Sequence, residues 1–541
     1  GWAGVPKGWL LAAAAEAARW SGQPDRALEH ICAAITEAEP GNDADRLGAL
    51  HERLATYLLE AGKRGDSWHA FKRAQALLQY SPASAVKARV LAGIALGHLQ
   101  AGHYADGRQM AEAALQMARE VGARAEEGRA LNIYGLALSM LGDPRAEEQI
   151  VQSLTIARAV NHIEDLLRAY GNLGLVLEHA GRLREAANVT RTGLEEARQL
   201  DLAQSRQGTI LANNTSAALV LLGEWSDAEG IIAELSLDRS PSESLYPRLT
   251  LAEIKVARGD YSQARELLAS IENVEHGEDP RFLGPLHTVR AQLAMGERHL
   301  DRAAVEVARG VAAVQEGENA LELLRLCAVG MRCAADRASR PKALERDRTA
   351  AMAVGDHLAR LARSAVPESP SAETVQLVAL CRAERQRIQG RDTAAVWSEV
   401  AAGWAELDRP YPAAYARWRQ AEAACAHGED EVARQAALAA YRAAKELGAE
   451  PLGAEVARLA KRIELDLADR PVQQSLPFGL SRAEFEVLRY LSEGLDATRI
   501  AKARGVRKRT VETQQQKVYG KLGVHSALQA VTKAREAGLF R

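Results

Sequence analysis

Cysteine is scarce: the 541 residues hold five, Cys32, Cys327, Cys333, Cys381 and Cys425, an odd number, far apart and never spaced as C-x-x-C. Neither a disulfide framework nor a cysteine zinc site finds support, so these thiols read as reduced core residues. Long apolar runs are missing too. The longest near the start, Trp9 to Ala15, stops at Glu16, far short of the roughly 18 residues needed to cross a bilayer; it reads as an Ala-rich helix rather than a signal peptide. No membrane partner follows, and a cytoplasmic location is expected. Net charge is nearly absent, with 69 Lys and Arg against 71 Asp and Glu, while hydrophobic residues make up 47%. That composition is globular and excludes disordered and collagenous classes.

Catalytic signatures are lacking as well. His51-Glu52 is followed by Ala55 where the second histidine of H-E-x-x-H belongs, the thirteen histidines show no metal spacing, and no G-x-S-x-G occurs. Of the two Gly-Lys pairs, Gly62-Lys63 has Tyr57 and Arg64 at the other positions of a phosphate loop, and Gly520-Lys521 has Gln515 and Leu522. Neither is a phosphate-binding loop of that kind. No enzyme activity, cofactor or metal is expected.

What the chain does have is a period. A Gly-containing turn followed by a polar residue and Ala recurs at Gly22, Gly62, Gly102, Gly142, Gly181, Gly223, Gly259 and Gly296, at intervals of 40, 40, 40, 39, 42, 36 and 37, then again at Gly390 and Gly428. Each interval holds two amphipathic segments: Leu47, Leu50, Leu54, Tyr57 and Leu58 recur at helical spacing, as do Leu166, Tyr170, Leu173 and Leu177. Glycine suits a left-handed helix stop, and the small Ala27, Ala186, Ala228 and Ala264 allow close helix approach. Such a unit resembles a tetratricopeptide-type hairpin, longer than the usual repeat. About ten or eleven such hairpins are expected to stack into a superhelix with a concave face. The register blurs from Asp336 to Pro370, a candidate break, and Ser240 to Pro247 reads as a loop. Trp9, Trp20, Trp68, Trp225, Trp397, Trp404 and Trp418 read as core.

A second module follows. The spans predicted are an α-solenoid over 1–468, a proline-containing linker over 469–479 and a small domain over 480–541. From Leu480 onward there are 13 Lys and Arg against 6 Asp and Glu, a balance of +7, which leaves 56 against 65 for the rest. That segregation is the footprint of a domain that approaches phosphates. Ser481 and Glu484 make a capping box for a first helix to about Ser492. Asp496 caps a short second helix, Gly505-Val506 turns, and a third runs from about Lys508 to Lys521 with Val511, Val518 and Leu522 as its buried stripe. Ser526 caps a fourth. Short helix, turn, long helix is a helix-turn-helix, and Arg509, Glu512, Thr513 and Gln516 share the polar face that would enter a major groove.

LSRAEFEVLRYLSEGL, then Ile500-Ala501, Thr510-Val511, KLGVHS at Lys521 to Ser526, Ala530-Val531 and AGLF at Ala537 to Phe540 resemble, in order and spacing, the LuxR-type DNA-binding domain. A long tetratricopeptide-like array ahead of it is similar to the large ATP-dependent LuxR-family regulators, whose nucleotide-binding module is not found here. A chain that begins at Gly1 rather than Met fits a segment of a longer regulator of that kind. The resemblance implies that Glu512, Thr513 and Gln516 face base edges, while Arg507, Lys508, Arg509, Thr510, Lys517 and Lys521 hold phosphates. The chain departs from the family pattern at Glu512, usually Lys, at Gln514, usually His, and at Arg504 and Gln515, usually apolar.

The chain is therefore expected to be all-α, a tetratricopeptide-like superhelix followed by a helix-turn-helix that binds double-stranded DNA. A protein partner or small-molecule effector in the solenoid groove would control self-association or free the tail. Ala530, Val531 and Ala534 are the expected face of a homodimer. The competing expectation is a protein-binding adaptor whose helix-turn-helix does not read DNA.

Overall fold

The computed structural model describes residues 6–41, 43–237, 244–272, 280–340, 344–367, 370–467, 478, 480, 482–504 and 507–537. The chain divides into two compact units, residues 1–465 and 466–541.

The first unit is a run of helical hairpins: α1 (Lys7–Trp20) with α2 (Pro24–Ala38), α3 (Ala44–Glu60) with α4 (Arg64–Leu77), α5 (Ala85–Gln100) with α6 (Tyr104–Glu120), and α7 (Arg124–Met140) with α8 (Ala146–Ala159). It continues as α9 (Ile163–His179) with α10 (Leu183–Gln199), α11 (Arg206–Leu222) with α12 (Trp225–Ala233), α13 (Leu245–Arg258) with α14 (Tyr261–Ser270), and α15 (Pro280–Gly296) with α16 (Leu300–Val314). The last pairs are α17 (Ala320–Ala338) with α18 (Glu345–Ser364), α19 (Ala372–Ile388) with α20 (Ala394–Glu406), and α21 (Pro410–His427) with α22 (Asp430–Leu447), followed by a single closing helix, α23 (Glu450–Arg462). The blurred register near Asp336 is the longest hairpin, α17 and α18. The loop expected at Ser240 to Pro247 is partly helix, since α13 begins at Leu245; its residues 240–243 lie outside the described residues. Among the described residues no helix is long and apolar enough to cross a membrane.

The period has a physical cause at each turn. Gly22, Gly62, Gly102, Gly142, Gly181, Gly223, Gly259, Gly390 and Gly428 all have positive φ, the conformation that stops a helix and that glycine adopts at least cost. Gly296 does not: it ends α15, and the left-handed residue there is Arg298 (φ 65). Its lack of a side chain serves packing instead, since a Cβ would meet the Tyr261 ring at 2.6 Å. Ala27, Ala186, Ala228 and Ala264 are at most 1% exposed, as close helix approach requires. A single hairpin cannot bury both faces, so one large apolar cluster draws residues from Ala92 to Leu459, beside smaller clusters such as that of α13 to α15.

The superhelix also touches itself beyond nearest neighbours. At Gly102 the carbonyl accepts from Glu318 N–H at 3.0 Å, and the Glu318 carboxylate accepts from Ala105 N–H at 2.9 Å, 213 residues away in sequence. A Cβ at Gly223 would lie 2.5 Å from Leu447 and 2.7 Å from Pro410, and Arg298 pairs with Glu455.

Four tryptophans are core, Trp225, Trp397, Trp404 and Trp418, but Trp9 and Trp20 are 61% and 39% exposed. They lie on the first hairpin, which has no preceding repeat among the described residues to cover it. Cys327, Cys333 and Cys381 are buried, whereas Cys32 is exposed, on the outward face of α2. Between α17, α19 and α21 the core holds charge. The Arg387 guanidinium lies 2.6 Å from Asp336 and 2.9 Å from Glu384, Arg419 donates to Asp336 at 2.9 Å, and the Tyr415 hydroxyl donates to Glu384. Burial alone would raise the Asp336 carboxyl; Arg387, then Arg419 and Arg332, overcome it and hold it at about 2.

Candidate nucleic-acid interface and inner cavity

The second unit contains α24 (Arg482–Ser492), α25 (Ala497–Arg504), α26 (Lys508–Leu522) and α27 (Ala527–Glu536). Asp496 caps α25 by accepting from Arg499 N–H at 2.8 Å, and Ser526 caps α27 by accepting from Gln529 N–H at 3.3 Å. These bonds satisfy amides that helix starts otherwise leave open. Ser481 of the expected capping box and the Gly505-Val506 turn lie outside the described residues. Val511, Val518 and Leu522 are at most 1% exposed. They pack α26 on Val487, Leu488, Ile500 and Ala530 in two small clusters, which fixes the rotation of α26 and turns its polar face outward.

On that face Glu512, Thr513 and Gln516 are all exposed, as are Arg507, Lys508, Arg509, Thr510 and Lys517. The Thr513 hydroxyl donates to the Arg509 carbonyl at 2.8 Å, so its methyl is the part presented outward. Lys508 lies 3.5 Å from Glu512 one turn on, a partial neutralisation of the carboxylate. Arg507, Arg509 and Lys517 make no ion pair among the described residues.

The expected homodimer face needs correction, and two basic side chains of the domain are already paired. Lys521 is 38% exposed but lies 2.7 Å from the Glu484 carboxylate, which is 7% exposed; the pair ties α26 to α24 and competes with a phosphate contact. Ala530, Val531 and Ala534 are 0%, 9% and 0% exposed. They are the inner stripe of α27, because the small helix has only one apolar face and the domain's own core claims it. Arg504 is paired too: its guanidinium donates to Gln514 at 2.7 Å and lies 3.2 Å from Glu486, clasping α25 to α26 and α24. Since Glu486 is 43% exposed, its charge can return to water when the clasp is removed. Arg504→Leu is therefore expected to change stability by less than about 1 kcal/mol, whereas Arg504→Ala, which leaves a void, costs about 1–3 kcal/mol. Amide hydrogen exchange across α24 and α26 in the full chain checks this, and equal losses for both would contradict it.

The first unit encloses a cavity of about 560 Å³, within the size range of ligand sites. Its wall mixes apolar side chains such as Phe71, Ile133 and Leu175 with a ladder of paired charges from the first helices of successive hairpins. Arg19 of α1 donates to Glu60 of α3 at 2.6 Å and to Glu164 of α9 at 2.7 Å. Arg168 meets Glu164 at 2.6 Å, and Arg129 lies 3.5 Å from Asp165. Burial would raise the Glu164 carboxyl, but Arg168, Arg19 and Arg129 hold it well below the usual range. Glu52 and Glu178 lack such close cationic partners among the described residues, and burial pushes both carboxyls up; burial also pushes the His179 imidazole down to about 4. Gln100 Oε1, Arg129 Nε and Glu322 Oε2, all on residues of the wall, have no hydrogen-bond partner among the described residues.

This ladder was not legible in the sequence, where its arginines and glutamates look like solvated helix faces. The structure also brings His98, His103 and Asp106 together, with ligand atoms within 4.8 Å of one another. Their spacing of five and three fits no standard metal motif, so only the turn geometry reveals them.

Residues 479–534 match the family described as bacterial regulatory proteins, luxR family, and the second unit therefore carries a luxR-family helix-turn-helix domain. No curated protein matches the chain. Among solved structures it is similar to a Rap protein complexed with competence and sporulation factor, at 11% identity and TM-score 0.40, covering 73% of this chain and 99% of that one. It is similar also to yeast Tom70 (11%, TM-score 0.35, 76% and 96%) and to the Cut9-Hcn1 hetero-tetramer of APC/C (14%, TM-score 0.33, 84% and 96%).

Proposed function

We propose that this protein is a cytoplasmic transcription regulator that reads duplex DNA with α26 and takes its effector, a polar small molecule or a segment of a protein partner, in the solenoid cavity. The observation that carries the reading is one helix whose buried stripe locks an outward polar face, Glu512, Thr513 and Gln516, between cations that make no ion pair among the described residues, Arg507, Arg509 and Lys517. Glu accepts from cytosine N4, Gln pairs with adenine, and the Thr methyl fits the thymine methyl. The cations position the domain on the backbone without reading sequence. Two copies on two half-sites would bind far more tightly than one. With Ala530, Val531 and Ala534 consumed by the core, the pairing surface moves to the outer side of α27, where Leu528 is 78% exposed.

The test selects duplexes from a randomised pool with the full chain, then measures fluorescence anisotropy on the selected and a scrambled duplex. Wild type should prefer the selected site. Replacing Thr513 and Gln516 by Ala should erode that preference by about 1–3 kcal/mol for each base pair no longer read, with little change on the scrambled duplex. Absence of any duplex binding at low salt would sink the reading and leave the protein-binding adaptor.

A further inference from the structure

We propose that His98, His103 and Asp106 form a site for a borderline transition-metal cation such as Zn2+, and that the bound ion braces the contact between the turn at Gly102 and the turn at Gly317. The three donors come from one hairpin. His98 is in the last turn of α5, His103 precedes α6, and Asp106 is in the first turn of α6. Gly102, at φ 81, reverses the chain between them, and His103 N–H donates to the His98 carbonyl at 2.9 Å, so the backbone positions of both histidines are pinned. The His98 ring stands edge-on to Trp68 with centroids 5.1 Å apart, which limits its rotamers. Its Nδ1 is 3.9 Å from the Asp106 carboxylate, and the two imidazole centroids are 6.3 Å apart.

Two imidazole nitrogens and one carboxylate oxygen select against Ca2+ and Mg2+, which favour all-oxygen shells, and suit Zn2+, Co2+, Ni2+ and Cu2+. In a tetrahedral site with metal–nitrogen bonds of about 2.0–2.1 Å, ligand atoms stand about 3.3 Å apart. The cluster must therefore tighten from its present 4.8 Å limit. His103 and Asp106 are exposed and free to rotate toward the fixed His98, with water completing the fourth position. Asp106 follows Ala105, whose N–H is held by the Glu318 carboxylate at 2.9 Å, while Gly102 accepts from Glu318 N–H at 3.0 Å. Fixing Asp106 and His103 thus fixes the two anchor points that the distant turn grips. By linkage, the ion and that grip strengthen each other. The site involves none of the residues assigned to DNA.

The experiment uses the full chain, untagged and chelator-stripped, titrated with Co2+ and then with Zn2+. One equivalent should bind with tetrahedral Co2+ ligand-field bands that Zn2+ abolishes. His103→Ala and Asp106→Asn should each weaken binding at least about tenfold, while His299→Ala, an exposed histidine outside the cluster, should not. Zn2+ should also slow amide exchange at Gly317 and Glu318 in wild type but not in His103→Ala. No stoichiometric uptake, or uptake indifferent to His103→Ala, would overturn the site. Uptake with unchanged exchange at Gly317 and Glu318 would overturn the brace.

Discussion

Affinity for duplex DNA should fall steeply with salt. Each phosphate neutralised contributes about −0.9 to the slope of log affinity against log salt, so Arg507, Lys508, Arg509 and Lys517 give about −3.6 for one domain and about −7 for two on adjacent half-sites. Raising salt from about 50 to about 200 mM should then weaken binding about a hundredfold for a single domain and about ten-thousandfold for a pair. The structure adds an internal control. Arg509 makes no ion pair among the described residues, so Arg509→Ala should remove about one unit of slope per domain. Lys521 carries the same charge on the same helix but is held 2.7 Å from Glu484, so Lys521→Ala should leave the slope unchanged and instead loosen α26 against α24. Anisotropy titrations at four salt concentrations separate the two. A slope indifferent to Arg509→Ala, or lowered equally by Lys521→Ala, would contradict the assigned orientation of α26.

The second large effect is on stability. Glu384 is fully buried, accepts from Tyr415 and lies 2.9 Å from Arg387; Arg419, 5% exposed, donates to the Tyr415 hydroxyl at 3.0 Å and stacks 3.8 Å from the Trp418 ring centroid. Arg332, Arg387 and Arg419 thus face Asp336 and Glu384, with Asp336 at the partly exposed edge, 27% exposed, and Glu384 at the closed end. Removing Glu384 leaves guanidinium charge without compensation in a poorly screened interior. Glu384→Ala should therefore cost about 3–5 kcal/mol. Glu384→Gln keeps the shape and an acceptor for Tyr415 and should cost less. An array of this length need not unfold in one step, so the readout is hydrogen-exchange protection of α17, α19 and α21. Unchanged protection in Glu384→Ala would mean that the cluster is already hydrated.

What the sequence disclosed was local. The glycine step, the alanines after each turn and the helix caps at Asp496 and Ser526 are decided by a few neighbouring residues, and the hairpins and tail helices stand close to where those signals put them. Properties that depend on partners distant in sequence were hidden. Arg19 finds Glu164, and Arg419 finds Asp336, only once the array coils. The stripe of Ala530, Val531 and Ala534 was visible as apolar, but periodicity alone does not say whether such a stripe meets a second copy or its own domain. The clasp of Arg504 on Gln514 and Glu486 was hidden for the same reason, since it leaves no mark at fixed spacing. The same limit hid His98, His103 and Asp106, which a single left-handed residue folds together.

Stacked repeats ordinarily melt like a one-dimensional chain, in which an end can fray without disturbing the middle. The bonds from Gly102 and Ala105 to Glu318, and the packing of Gly223 on Pro410 and Leu447, add rungs between coils of this array. Fraying of one coil then exposes the flank of the next, so opening should spread to the coil that each rung touches rather than stop at the neighbouring hairpin. Those rungs close only after long loops have formed, so assembly should be slowed by their entropy even though each hairpin forms quickly.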